Sequence, residues 1–171
     1  RKVDDAMFGG GTGMLMMCEP VFRAWEAARA SLGGTSHTIF LSAQGQPFTQ
    51  RHAIELSGME SLILLCGHYE GIDRRVLDEI VDEEISIGDF VLTGGELPAL
   101  TVIDAVARML PGVLPAPEAY LLESHMDGTL EGPQYTRPAV WKNREVPQVL
   151  LSGHHANIEQ YRRLSSLETT R

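Results

Sequence analysis

Leu62-Ile63-Leu64-Leu65-Cys66 is apolar at every position, lacks the polar alternation of a half-solvated strand, and stops at Gly67. Such a run reads as a strand buried on both faces, which requires helices or more sheet above and below it. Thr38-Ile39-Phe40-Leu41-Ser42 repeats the pattern upstream, and Glu84-Ile85-Ser86-Ile87 gives a third strand. Helical patterns lie between these runs. Val21, Phe22, Trp25, Ala28 and Leu32 recur at helical spacing behind Pro20, which a first turn tolerates, and Gly33-Gly34 ends the run. Thr49 is suited to cap a helix through Leu56, and Ile72, Val76 and Ile80 mark another. A last helix is predicted from Pro98, burying Leu100, Ile103, Val106, Ala107 and Leu110 and stopped by Pro111-Gly112. Strand and helix in alternation predict an α/β fold with a mostly parallel sheet.

From Leu114 to Arg137 no period is evident, and Pro115, Pro117, Gly128, Gly132 and Pro133 mark a linker. Helical signal returns from Ala156 to Leu167. The expected organisation is an α/β domain over 1–114, a linker over 115–135 and the beginning of a helical domain over 136–171. A chain of 171 residues with 43% apolar side chains can build one good core and a small appendage. No apolar run approaches the roughly 18 residues that span a bilayer, and no signal peptide opens the chain. Cys18 and Cys66 alone suggest no disulfide framework, so a cytoplasmic location is expected. The opening Arg1-Lys2-Val3-Asp4-Asp5 reads as the interior of a longer sequence, with an N-terminal strand expected before it.

The formal net charge of −9 argues at first sight against a nucleic-acid partner, because phosphate contacts need clustered Lys and Arg. Its distribution changes that. Residues 1–119 hold 8 basic and 17 acidic side chains, whereas residues 120–171 hold 6 of each. A polyanion would be gripped by the C-terminal part, where Arg137, Lys142, Arg144, Arg162 and Arg163 lie.

In open α/β sheets a ligand lies beyond the carboxyl ends of the strands, which brings Leu41-Ser42, Cys66-Gly67 and Ile87-Gly88 to one rim. Glycine there lets a ligand approach the backbone, so an adenine can be read by main-chain N–H and C=O groups. Gly9-Gly10-Gly11-Thr12-Gly13 fits neither the dinucleotide GxGxxG register nor a phosphate loop, and reads equally as a lid or packing turn and as a ligand contact.

With these segments quoted, the chain resembles the bacterial tRNA (guanine-N1)-methyltransferases of the SPOUT class. The resemblance runs through Val3-Asp4-Asp5, GGGTGMLMM, LSAQG, the whole block from Cys66 to Leu100, Pro111-Gly112-Val113-Leu114, Tyr135 to Pro138 and Val146 to Ile158. It implies a homodimer whose active sites are shared between protomers, and a deep trefoil knot in the α/β domain, an exception to the rule that chains do not thread loops. It implies S-adenosylmethionine as methyl donor, cradled by Phe40, Leu41, Ser42, Gly67, Tyr69, Glu70 and the run Ile87, Gly88, Asp89, Phe90, Val91 and Leu92, with Gly94 and Gly95 closing over it. The partner is tRNA, bound in part by the C-terminal domain and methylated on the guanosine immediately 3′ of the anticodon. Magnesium dependence is a further expectation, without a clear ligand set. Thr12 and Ala43 stand where the family carries Pro.

Guanine N1 carries a proton and is a poor nucleophile, so a general base must remove it, and charge then grows on O6. The resemblance assigns the O6 role to Arg108, which otherwise reads as an i, i+4 surface partner of Asp104. The family's base is an Asp followed by Ser. The matching position here is Glu123, followed by Ser124, with Glu131 as the alternative. Glu70 reads either as a ligand for the cofactor amine or a metal, or as a helix-entry cap, and Asp73 as a cap for the helix after it. Asp78, Glu79, Asp82, Glu83 and Glu84 fit no calcium loop and read as a solvated face. His154-His155 reads as capping or surface, or as a phosphate anchor, and Cys66 as a buried thiol without chemistry. Two other readings remain: a tRNA-binding relative that holds cofactor with weakened catalysis, and a generic nucleotide-binding α/β module.

Overall fold

A computed structural model describes residues 2–116, 120–121 and 123–171; Arg1 and the linker marker Pro117 lie outside them. It divides into two compact units, Arg1–Val113 and Leu114–Arg171. The first unit opens with a short antiparallel pair, β1 (Asp4–Asp5) and β2 (Leu15–Met16), followed by helix α1 (Cys18–Leu32). Strand β3 (His37–Pro47), helix α2 (Gln50–Ser57), strand β4 (Leu62–Cys66), helix α3 (Arg74–Ile80), strand β5 (Glu83–Ser86) and helix α4 (Glu96–Ala107) complete it. The three longer strands form a parallel sheet in the order β4-β3-β5.

Local chemistry accounts for the boundaries. Gly33 ends α1 at φ 71°, a left-handed value that glycine adopts without a Cβ penalty. Thr49 caps α2 by accepting the His52 N–H at 3.2 Å. Asp73, and not Glu70, caps α3, accepting the Arg75 N–H at 3.0 Å. The helix α4 starts two residues before Pro98 and ends at Ala107.

Central β3 is the buried strand, with Ile39 fully enclosed. Phe40 packs with Val21 of α1 and Val76, Leu77 and Ile80 of α3, while α2 packs against α4. The apolar run of β4 is only half-buried throughout, because it forms one edge of the three-stranded sheet. The expected burial along α4 is also wrong in part. Ala99, Val102 and Val106 face the core, whereas Leu100, Ile103 and Leu110 are exposed, with Leu97 beside them. The helix is apolar on two faces, and the expected set mixes them, with Val106 buried as expected and Leu100, Ile103 and Leu110 on the outer face.

The predicted acidic face is exposed at Asp78, Glu79 and Asp82 and half-buried at Glu83 and Glu84, and several of its carboxylates also serve as structural acceptors. Asp82 takes the Thr38 N–H at 2.7 Å, and Thr38 in turn accepts the Trp25 indole N–H at 3.0 Å. Glu83 joins two elements through His37 at 2.8 Å and His52 at 2.9 Å, and Glu84 pairs with Arg74 at 2.9 Å. These carboxylates lie near strand and helix ends, where they anchor neighbours.

Asp73 gives a pH test. The Arg75 guanidinium, 2.7 Å from its carboxylate, together with the Arg75 N–H, holds the Asp73 carboxyl well below the usual carboxylate range. A folded-state value below the unfolded one adds stability that is fully present above the unfolded Asp range and is lost as pH falls through the folded value. Asp73→Ala is expected to cost about 1 kcal/mol at neutral pH. The gap in thermal midpoint between it and the parent should narrow below roughly pH 4.

In the second unit, β6 (Val140–Trp141) and β7 (Arg144–Glu145) form a hairpin, followed by α5 (Gln148–Leu151) and α6 (His155–Thr170). Lys142 and Asn143 turn the hairpin with positive φ at both positions, the backbone of a tight primed turn. The aperiodic segment before it runs along α6. Leu130 donates its N–H to Thr170 Oγ1 at 2.9 Å, Ser166 Oγ donates to the Leu130 carbonyl at 2.6 Å, and Gly132 sits against Ser165 with no space for a Cβ.

Candidate functional site

The middle of β3 and the carboxyl ends of β4 and β5 open onto a cleft of about 360 Å³, within the usual range of small-molecule sites. Its wall is built by a register break. Both Leu41 and Gln46 pair with Ile85, so residues 42–45 are extruded from β3, and Ser42, Ala43 and Gln44 line the cleft. Gly45 returns the chain to β5 so closely that a Cβ there would stand 2.5 Å from the Ile85 nitrogen. The opposite wall is another close crossing. Gly95 donates its N–H to the Gly67 carbonyl at 3.0 Å, and a Cβ on Gly95 would lie 2.7 Å from Cys66 Cα.

Every cradle residue expected from the sequence lines this cleft except Asp89, which is exposed. Gly88 adopts φ 148°, and Ser86 Oγ accepts its N–H at 3.2 Å, so the chain bends and carries Phe90, Val91 and Leu92 back to the opening. Tyr69 holds φ 60°, an uncommon value for a bulky residue, in a turn closed by the Gly71 N–H on the His68 carbonyl at 3.0 Å. Glu70 lines the cleft, and its N–H bonds to the Met14 carbonyl at 3.0 Å. Its side chain fills the space a Gly13 Cβ would take, 2.6 Å away, so the glycine-rich loop buttresses the site without lining it.

The sequence reading missed four charged or titratable members of the lining or its support. His68 lines the cleft and contacts Glu96 Oε1 through Nε2; Glu96, in the first turn of α4, is held below the usual carboxylate range by its own backbone N–H and by His68. Arg74 and Glu84 line it as an ion pair. Only the motif His68-Tyr69-Glu70 offered a signal, since Arg74 meets Glu84 through the pairing of β5 with β3. Burial pushes the Cys66 thiol up, with the Glu96 charge adding to it, so this cysteine stays protonated. Among the described residues, no group of three or more His, Cys, Asp and Glu side chains is placed to hold a metal ion.

Arg108 and Glu123 belong to different units. Arg108 caps the end of α4, its N–H on the Asp104 carbonyl at 3.2 Å. Glu123 sits in a turn, its N–H on the Tyr120 carbonyl at 3.2 Å, and lines a larger cleft of about 1270 Å³ in the second unit. That cleft also carries Glu131, Tyr135, Arg137, His155, Arg162 and Arg163. His154 stands at the α6 cap position without a side-chain cap bond.

A family model described as tRNA (Guanine-1)-methyltransferase TrmD matches residues 1–171. The chain belongs to this family. It is 58% identical, over its full length and 73% of the relative, to the tRNA (guanine-N(1)-)-methyltransferase of Ruminiclostridium cellulolyticum. Proteins of the same name from Alkaliphilus oremlandii and Lachnospira eligens are 53% and 51% identical over 99% of this chain, which spans 70% and 72% of them. The matches take in both units, so membership rests on the second unit as well as on the first.

Proposed function

We propose that this chain is a tRNA (guanine-N1)-methyltransferase that acts at position 37, immediately 3′ of the anticodon, with S-adenosylmethionine as methyl donor. The observation that carries this reading is the cleft at the strand ends. It has main-chain edges and glycines where a nucleoside must come close, apolar walls from Phe40, Leu41, Ile87 and Leu92, and the carboxylates of Glu70 and Glu84. A sulfonium with an adjoining ammonium complements two carboxylates, and an adenine complements apolar walls with backbone donors and acceptors. The tight crossings at Gly45 and Gly95 support a knotted path, since threading leaves no room for side chains where strands of chain pass.

The bound donor supplies a methyl group on a positively charged sulfur, transferred by in-line displacement. The protein holds acceptor and methyl in near-attack geometry. Glu123 takes the N1 proton of guanine, and Arg108 offsets the charge growing on O6. The hairpin with Lys142 and Arg144, together with Arg137, Arg162 and Arg163, grips tRNA phosphates. The partner across the exposed face of α4 is a second copy of the chain, seated on Leu97, Leu100 and Ile103. Ile103→Lys is expected to convert a dimer to a monomer in sedimentation with the far-UV spectrum unchanged.

Titration calorimetry with S-adenosylmethionine, ATP and NAD tests the ligand reading. Saturable binding of the first alone is expected; binding of NAD in its place would favour the generic nucleotide module.

A further inference from the structure

We infer that Arg74 is the carboxylate-recognising residue of the cleft, selecting a methyl donor that carries its amino-acid carboxylate. This rests on the assignment of S-adenosylmethionine to the cleft. Among the charged side chains of the lining, Arg74 is the arginine set against two acids, Glu70 and Glu84. The ligand has matching groups: a sulfonium and an ammonium for the acids, and an α-carboxylate that an acidic wall would otherwise repel.

Arg74 is held ready for this. Its Nε donates to Asp78 Oδ1 at 2.6 Å and its Nη1 to Glu84 Oε1 at 2.9 Å. A guanidinium has five N–H donors, so these two bonds fix the fork and leave the Nη2 edge for a carboxylate. The anchors differ in setting. Asp78 lies one turn along α3 and is exposed, while Glu84 is in β5 with 21% of its side chain accessible. The arginine therefore bridges helix and sheet at the cleft wall and reaches the ligand from a position set by both. Lysine would lose the fork that satisfies two carboxylates while reaching a third.

Charge makes the sign of the test diagnostic. Removing the carboxylate from S-adenosylmethionine raises its net positive charge, so an acidic cleft on a chain of net charge −9 would bind the decarboxylated compound more tightly unless a cation recognises the carboxylate. The experiment is calorimetry of the full chain with both compounds. The unmodified protein is expected to prefer S-adenosylmethionine by about tenfold, the size of one charge-assisted hydrogen bond. Arg74→Gln should abolish or invert that preference by weakening the carboxylated ligand alone, and Arg74→Lys should keep part of it. Equal affinity of the unmodified protein for both compounds, or a preference that survives in Arg74→Gln, overturns the inference and leaves the donor assignment standing. Failure of both compounds to bind removes the donor assignment and the inference with it.

Discussion

Glu123→Gln is expected to slow methyl transfer by about 10²–10⁴-fold, the usual contribution of a positioned general base, while cofactor affinity and thermal midpoint hold. Gln keeps the shape and loses the capacity to take a proton. The affinity is expected to hold because Glu123 lines the cleft of the second unit and not the one at the strand ends. Glu123→Asp is informative as well: retention of the rate would tie function to the carboxylate and not to its reach. A Glu123→Gln protein with the full single-turnover rate would remove the residue from the chemistry and direct attention to Glu131, which lines the same cleft.

Gly95→Ala is expected to destabilise the first unit by about 3 kcal/mol and to weaken cofactor binding at least roughly tenfold. The added methyl would stand 2.7 Å from Cys66 Cα and 3.1 Å from the Gly67 nitrogen, and these are backbone atoms that no rotamer change can move. Separating the two passes also breaks the Gly95 N–H to Gly67 carbonyl bond, the wall beside the ligand. Gly58→Ala provides the contrast. It has helical φ −86°, and its Cβ would meet the Glu55 carbonyl at an ordinary 3.6 Å. That change should be neutral or stabilise by a few tenths of a kcal/mol through the unfolded chain. Thermal unfolding and calorimetry on the pair separate loss of a crossing from loss of a glycine.

What the sequence disclosed follows from where its signals are local. Gly33 and Thr49 set helix ends through their own backbone or side-chain chemistry, so α1 and α2 could be read with few errors. The face of α4 could not, because Val102, which is fully buried, and Ile103, which is half-exposed, are neighbours of equal hydrophobicity. The packing of α4 against α2 and β4 separates them. The cradle was legible as a motif and not as geometry. Nothing in Ser42-Ala43-Gln44-Gly45 announces four residues extruded from a strand, since that depends on Leu41 and Gln46 sharing one partner. Asp89 enters the expected cradle only through the family resemblance, as part of the run Ile87 to Leu92, and in the structure it is exposed and is not among the residues lining the cleft. Arg74 was passed over because its partner Glu84 is brought to it by sheet pairing.

The most direct test of methyl transfer to guanine N1 is a single-turnover reaction of this chain with labelled S-adenosylmethionine and a tRNA transcript bearing guanosine immediately 3′ of the anticodon, with the product base identified. One methyl on N1 of that guanosine, and none on a transcript with adenosine there, is the expected result. Unmodified guanosine after complete loading of the folded protein with donor and tRNA would contradict it.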